Sequence, residues 1–180
     1  MDFTHDTVMS LQAATALVNS AEEPDTLTSV ADLDAVWEEY GYTGRHDGDV
    51  AELEAVRALR PTLRTLLTAD RDTAAGMVNR MLADAGAVPR LARHDGWDWH
   101  LHAIDDDAPL PDRIVVETAM AMMDVVRVDE LSRISSCDAD GCEGVVLDLS
   151  RNRSRRFCST TCTNREAAAA YRARRRTTRS

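Results

Sequence analysis

The 180-residue chain predicts a mainly α fold in two unequal parts. Three observations predict it. Apolar residues recur at three- and four-residue spacing through most of positions 4–134. That rhythm yields to alternation around 97–104, which makes room for one small β-hairpin. All four cysteines fall in the final stretch, 137–180, after 136 residues without one. Hydrophobic residues make up 44% of the chain and aromatic residues 4%, so the core must be built mostly of Leu, Val, Ala and Met.

The first helix is expected over 4–20, capped by Thr4 or Asp6, with Val8, Leu11, Ala14, Thr15 and Val18 on one face. An acidic loop follows. Ser29 and Asp32 approximate a capping box ahead of the stripe Leu33, Val36, Trp37 and Tyr40, and Gly41 stops that helix. Asp49 opens a longer helix carrying Val50, Leu53, Val56, Leu59, Leu63, Leu66 and Leu67. Pro61 lies inside it and predicts a kink or break near Arg60, because proline removes a donor and crowds the preceding turn. Asp70 or Asp72 begins the next helix, with Met77, Val78, Met81 and Leu82 as its stripe and Gly86 as its end. The methionines read as core filler.

Trp97, Trp99, Leu101 and Ala103 alternate with Asp98, His100, His102 and Ile104, the pattern of a half-buried strand. Asp95-Gly96 is a type I′ turn signal, so Pro89 to His94 is the expected partner strand. His100 and His102 share a face, but no third ligand lies near, and a solvated or ladder-pairing role is the reading. Asp105-Asp106-Asp107 with Pro109 and Pro111 forms an acidic link that lacks the later ligands of a calcium loop. Residues 112–134 are the most apolar helix. It is expected to be central, or buried by a partner subunit, and to run directly into Cys137.

The cysteines Cys137, Cys142, Cys158 and Cys162 follow the pattern C-x4-C, a fifteen-residue gap, then C-x3-C. Two close pairs across a medium gap read as one tetrahedral zinc site. Two disulfides or four unrelated thiols are the competing readings. The absence of a signal-peptide pattern leads us to expect a reducing, cytoplasmic setting, which disfavours disulfides. Gly141 suits the positive φ of a knuckle turn. Val145 to Leu149 reads as a strand, Ser150 to Ser154 as a turn, and Arg155-Arg156-Phe157 as the return toward the metal. Ser159, Thr160 or Thr161 can cap a helix that places Cys158 and Cys162 on the same side. Knuckle, hairpin and helix make a treble-clef-like zinc finger over 135–180, behind a helical domain over 1–134. Four thiolates saturate zinc and leave no position for water, so the ion is structural.

These residues resemble the CGNR zinc fingers. The resemblance rests on Cys137-x4-Cys142, Asp148-Leu149-Ser150-Arg151, Ser154-Arg155-Arg156-Phe157-Cys158-Ser159 and Cys162-Thr163-Asn164-Arg165. It covers 134–176 closely and the region before it diffusely. Two departures stand out: Thr163 occupies a position where the family usually has Gly, and the second cysteine pair is one residue closer than is common. Members of this family typically carry a helical N-terminal ABATE domain and are described as candidate stress-induced transcriptional regulators. Within that resemblance, Asn19 corresponds to the polar position that follows the first ABATE helix, although a plain C-cap also explains it. A short hairpin with a Gly-Trp turn also recurs in ABATE domains.

The net charge of −10 conceals a division, +9 over 151–180 and −19 over 1–150, and every basic residue is Arg. An acidic body with a basic tail suggests that the tail binds nucleic acid. The helix beyond Cys162 contains Ala167 to Ala170, strong helix formers, and projects Asn164, Arg165, Arg172, Arg174, Arg175 and Arg176. Arg155 and Arg156 flank its start. Guanidinium groups suit phosphates and guanine edges. No nucleophile elbow, phosphate loop or HExxH motif is present, and no apolar run is long enough to span a membrane. The chain therefore reads as a binder and not an enzyme. The leading reading is a DNA-binding transcriptional regulator, with a small-molecule effector or a second copy of the chain engaging the body. The alternative is a zinc-stabilised module for RNA or protein contacts, without sequence-specific DNA binding.

Overall fold

The computed structural model describes residues 3–93 and 98–177, with the side chains of 173, 176 and 177 outside the description. Five helices form the body: α1 (His5–Asn19), α2 (Val30–Glu39), α3 (Val50–Leu67), α4 (Arg71–Asp84) and α5 (Leu110–Arg127). Three of their starts follow the side-chain chemistry, whereas α1 begins after Thr4, and α5 after Pro109, without a side-chain cap bond. Ser29 and Asp32 form the reciprocal capping box of α2, Asp49 accepts from Glu52 N–H at 2.8 Å, and Asp70 accepts from the N–H groups of Asp72 and Thr73.

Helix α5 packs against α1, α3 and α4 and is the centre of the body, as its apolar breadth predicts. Leu110, Ile114, Ala119, Met122 and Val125 on α5 meet Leu11 and Leu17 on α1 and Val56, Leu63 and Leu66 on α3 in one buried cluster. The buried Arg60 fixes the α1–α2 loop to α3, donating to both Asp25 carboxylate oxygens and to Leu27 O.

Four expectations are corrected. Of the kink or break expected near Arg60, the break does not occur: helix α3 runs unbroken through Pro61. The buried face made by Val56, Arg60, Leu63, Leu66 and Leu67 holds it together, outweighing the one backbone donor that proline removes. The second correction concerns α5, which ends at Arg127 and does not reach Cys137. Asp129 takes a positive φ of 58°, Glu130 N–H closes onto Val125 O, and a 3-10 turn (Leu131–Arg133) leads into a strand. That strand, Ile134–Ser136, pairs antiparallel with Val145–Leu147, so the partner of the predicted strand is 134–136 and not the 155–157 return.

The fourth correction concerns the N-terminal hairpin. It is present as β1 (Arg90–Ala92) and β2 (His100–His102), in antiparallel register. The 134–136 and 145–147 strands are β3 and β4. The apolar face predicted to be buried points outward at Trp99, 63% exposed, and Leu101, 47% exposed, and among the described residues of that face only Ala103 is buried. Alternation defines two faces but not which one meets the body. Here the histidine face does, and His100 Nε2 lies 2.9 Å from His102 Nε2. The Asp95-Gly96 turn, His94 and Trp97 lie outside the described residues. Among the described residues, no helix is long and apolar enough to cross a membrane.

Candidate metal centre and basic helix

Two backbone turns and a helix start bring the four cysteines together. Gly141 adopts a φ of 67° in the first knuckle, as its position predicts, and Cys142 N–H donates to Ala139 O. Cys158 lies just before α6 (Thr160–Thr177), and Cys162 lies in its first turn, where its N–H donates to Ser159 Oγ at 3.2 Å. Thr163 is an ordinary helical residue whose hydroxyl donates to Ser159 O, so no glycine is required there. Gly144 is required by space. A Cβ at that position would lie 2.7 Å from Cys158 Sγ and 3.2 Å from Asn19 Oδ1.

All four sulfurs lie within 4.8 Å of one another. Cys142 Sγ is 3.6 Å from both Cys158 Sγ and Cys162 Sγ, and Cys158 Sγ is 3.8 Å from Cys162 Sγ. A disulfide needs about 2.05 Å, so these are four separate thiols. Zinc–sulfur bonds of about 2.3 Å set a tetrahedral edge of about 3.8 Å, which these separations match. Backbone and side-chain donors already face the sulfurs. Cys158 N–H points at Cys137 Sγ, Gly144 N–H at Cys142 Sγ, and the Arg165 guanidinium at Cys162 Sγ. Such donors offset the negative charge of a four-thiolate site. Burial raises the Cys142 thiol well above its usual range and pushes Cys158 to about 11, whereas the Ser159 hydroxyl lowers Cys162. Metal binding must therefore displace protons from Cys142 and Cys158. The donor set, spacing and packing are those of one structural zinc ion held by Cys137, Cys142, Cys158 and Cys162.

The surrounding contacts were not legible in the sequence. The Asn19 side chain, at the end of α1, donates to Val145 O at 2.8 Å and accepts from Val145 N–H at 2.6 Å. A carboxamide thus takes the place of a neighbouring strand for β4. Glu22 accepts from Glu143 N–H, and Arg64 of α3 reaches Glu143 at 3.8 Å. Asp148, in the motif that follows β4, accepts from Ser150 N–H and Arg155 N–H and shapes the loop leading back to Cys158.

The predicted nucleic-acid contacts fall into two groups. The Arg155 guanidinium is engaged by the carbonyls of Phe157, Cys158 and Leu147, and Arg156 pairs with Asp138 at 2.7 Å. Arg165 serves the sulfur of Cys162. These three brace the finger. Asn164, Arg172, Arg174 and Arg175 stand exposed along α6, with Arg175 over the Tyr171 ring at 5.8 Å. The side chain of Arg176 lies outside the described residues.

No curated protein matches the sequence significantly. The CGNR zinc finger family matches residues 133–175. The ABATE family, described as "Putative stress-induced transcription regulator", matches residues 11–129, about two thirds of the chain. With the helical body, the four-sulfur cluster and both matches in this order, the chain belongs to the ABATE family and carries a CGNR zinc finger behind its ABATE domain.

Proposed function

We propose that the protein is a DNA-binding transcriptional regulator, divided functionally at 134/135, in which the zinc finger presents α6 to DNA and the helical body receives the signal. One observation carries the reading. After Cys162, α6 buries no described side chain, yet the zinc site holds its first turn in place. A helix with an alanine surface and exposed arginines, fixed at one end, is suited to a groove lined with phosphates. The acidic body repels DNA, so α6 must supply the attraction. Arg172, Arg174, Arg175 and Arg176 are the phosphate-binding set in this reading. Arg155, Arg156 and Arg165 hold the finger in shape and contribute charge at its edge. The body binds an effector or a second copy of the chain. Binding and not catalysis is the activity, in the cytoplasm where the DNA lies.

The test compares the full chain with a chain cut after Ala170, which removes five of the ten arginines in 151–180 and spares every cysteine. Log affinity for duplex DNA is measured against log salt concentration. About four to six phosphates engaged by the full chain give a slope of roughly −4 to −5, and truncation should make it shallower by about two or more. An unchanged slope means these arginines do not touch phosphate. Competitor RNA that displaces DNA completely would favour the RNA- or protein-binding module instead.

A further inference from the structure

The body contains a cavity of about 360 Å³ that none of the four cysteines lines. Helices α1 and α5 form two walls, the turn after α2 a third, and the histidine face of β2 a fourth. Met9, Leu82, Met120 and Met123 give it an apolar and adaptable lining. Hydroxyls and the two histidines line it too, but its carboxylates outnumber its arginines: Asp6 of α1 and Glu117 and Asp124 of α5 stand beside Arg127. Asp124 is engaged, accepting from the Thr7 hydroxyl at 2.7 Å and facing Arg127 at 3.6 Å. His100 and His102 are tied to each other across 2.9 Å.

Glu117 differs from these neighbours. Among the described residues, no hydrogen bond or ion pair reaches its carboxyl. The nearest cation on its own helix, Arg113, is committed elsewhere. Its guanidinium donates to the carbonyls of Ala108, Thr43 and Arg45 and lies over the Trp37 ring at 5.2 Å. Glu117 is half-buried and its carboxyl keeps some access to water, but a carboxyl set against an apolar lining without a protein partner is still favoured by anything that arrives to pair with it. The groups around Glu117 are Arg113, Asp106 and Tyr42, and burial raises Glu117 to about 7 despite the pull of Arg113.

We propose that this cavity is a binding site for amphiphilic organic amines, with the ligand's apolar body among the methionines and its ammonium group on the Glu117 carboxylate. The chemistry of the lining selects this class. Among the described lining residues an anionic ligand would meet three acids against one arginine, Arg127, and a neutral one would leave Glu117 unpaired. A cation satisfies Glu117 and restores its charge. The inference names the ligand class for the receiving role proposed for the body, and rests on that reading only for its regulatory meaning.

The experiment uses the full zinc-loaded chain without DNA. Three probes with one aromatic body are titrated calorimetrically: 1-naphthylmethylamine, 1-naphthylmethanol and 1-naphthylacetate. The amine should bind roughly ten- to a hundredfold tighter than the alcohol, and the carboxylate weakest. Glu117→Gln should remove the preference for the amine while leaving alcohol affinity and zinc content unchanged. Ser10→Trp, which projects an indole into the cavity from α1, should abolish binding of both. An amine that binds no tighter than the alcohol overturns the proposal, as does discrimination that survives Glu117→Gln. Binding that survives Ser10→Trp places the probe elsewhere and also overturns it. So does the absence of heat from all three probes at millimolar concentration. Because DNA is absent, failure here leaves the salt dependence of DNA binding standing, and failure of that dependence leaves amine binding standing.

Discussion

The two sides of the zinc finger are built on opposite principles. On one side, Val145, Val146 and Leu147 of β4 are all buried, and Ile134, Val145 and Leu147 belong to the same apolar cluster as α1, α3 and α5. On the other side, α6 buries Cys162 and then nothing more among its described side chains. The metal sits between a hairpin absorbed by the body and a helix held out into solvent. One ion thus anchors an exposed helix to a core of which that helix is no part. The anchored side depends on packing and the offered side on helix propensity, so mutations should separate them.

The largest effect should come from Cys158→Ser, which strikes both sides. Zinc content should fall from one equivalent per chain to near zero, with the loss of the finger. Helices α1–α5 have their own buried faces, so most of the helical circular dichroism at 25 °C should remain while the melting temperature falls. Loss of most helix signal at 25 °C would show that body and finger cannot fold apart.

Asp25→Ala should come next, at about 3 kcal/mol, because it leaves the buried Arg60 without its carboxylate. Denaturant melts measure it. Asp25 also predicts a pH dependence. The Arg60 guanidinium lowers its pKa below the usual carboxylate range, with the Leu27 backbone N–H adding to the effect against burial. A group whose folded pKa is depressed contributes stability that is fully present above its unfolded pKa, about 3.9, and is lost as pH falls through the folded value. The stability gap between wild type and Asp25→Asn should therefore be constant near neutrality and close below about pH 4.

Asn19→Ala tests the anchor alone. It leaves the N–H and C=O of Val145 without their partner and should cost about 2 kcal/mol. Zinc stoichiometry should stay at one, and hydrogen exchange should quicken at Val145. Unchanged exchange there would mean that packing, and not the carboxamide, holds β4 on the body.

Ala168→Gly should be the smallest and tests the offered side. It lowers local helix stability by about 1 kcal/mol in α6 without moving the global melting temperature, because the residue is exposed. A lower global melting temperature would show that α6 packs on the body after all.

What was legible in the sequence follows the same division. Local chemistry announced itself: the Ser29–Asp32 box, the Asp49 and Asp70 caps, Gly141, and the four cysteines by spacing alone. Contacts between distant residues did not. Nothing near Asn19 indicates that its carboxamide meets Val145, which is 126 residues away. Ile134-Ser135-Ser136 is too short to show a strand period, and its role emerges only when β4 is in place. The hairpin's alternation was visible, but not the choice of face, which was settled by the cavity it closes. The arginines looked alike as sequence. Which of them serve carbonyls, an aspartate or a sulfur depends on where the zinc loop returns.

The shared core has a thermodynamic consequence. Zinc binds the folded finger, and the finger's hairpin is part of the body's interior, so the metal's mass action reaches the whole chain. Above the dissociation constant, each tenfold fall in free zinc removes about 1.4 kcal/mol of stability. Where zinc becomes scarce, the unfolded fraction rises in step, and unfolded chains are what proteases remove. The amount of this protein would then follow zinc supply even if no other ligand ever occupied the body.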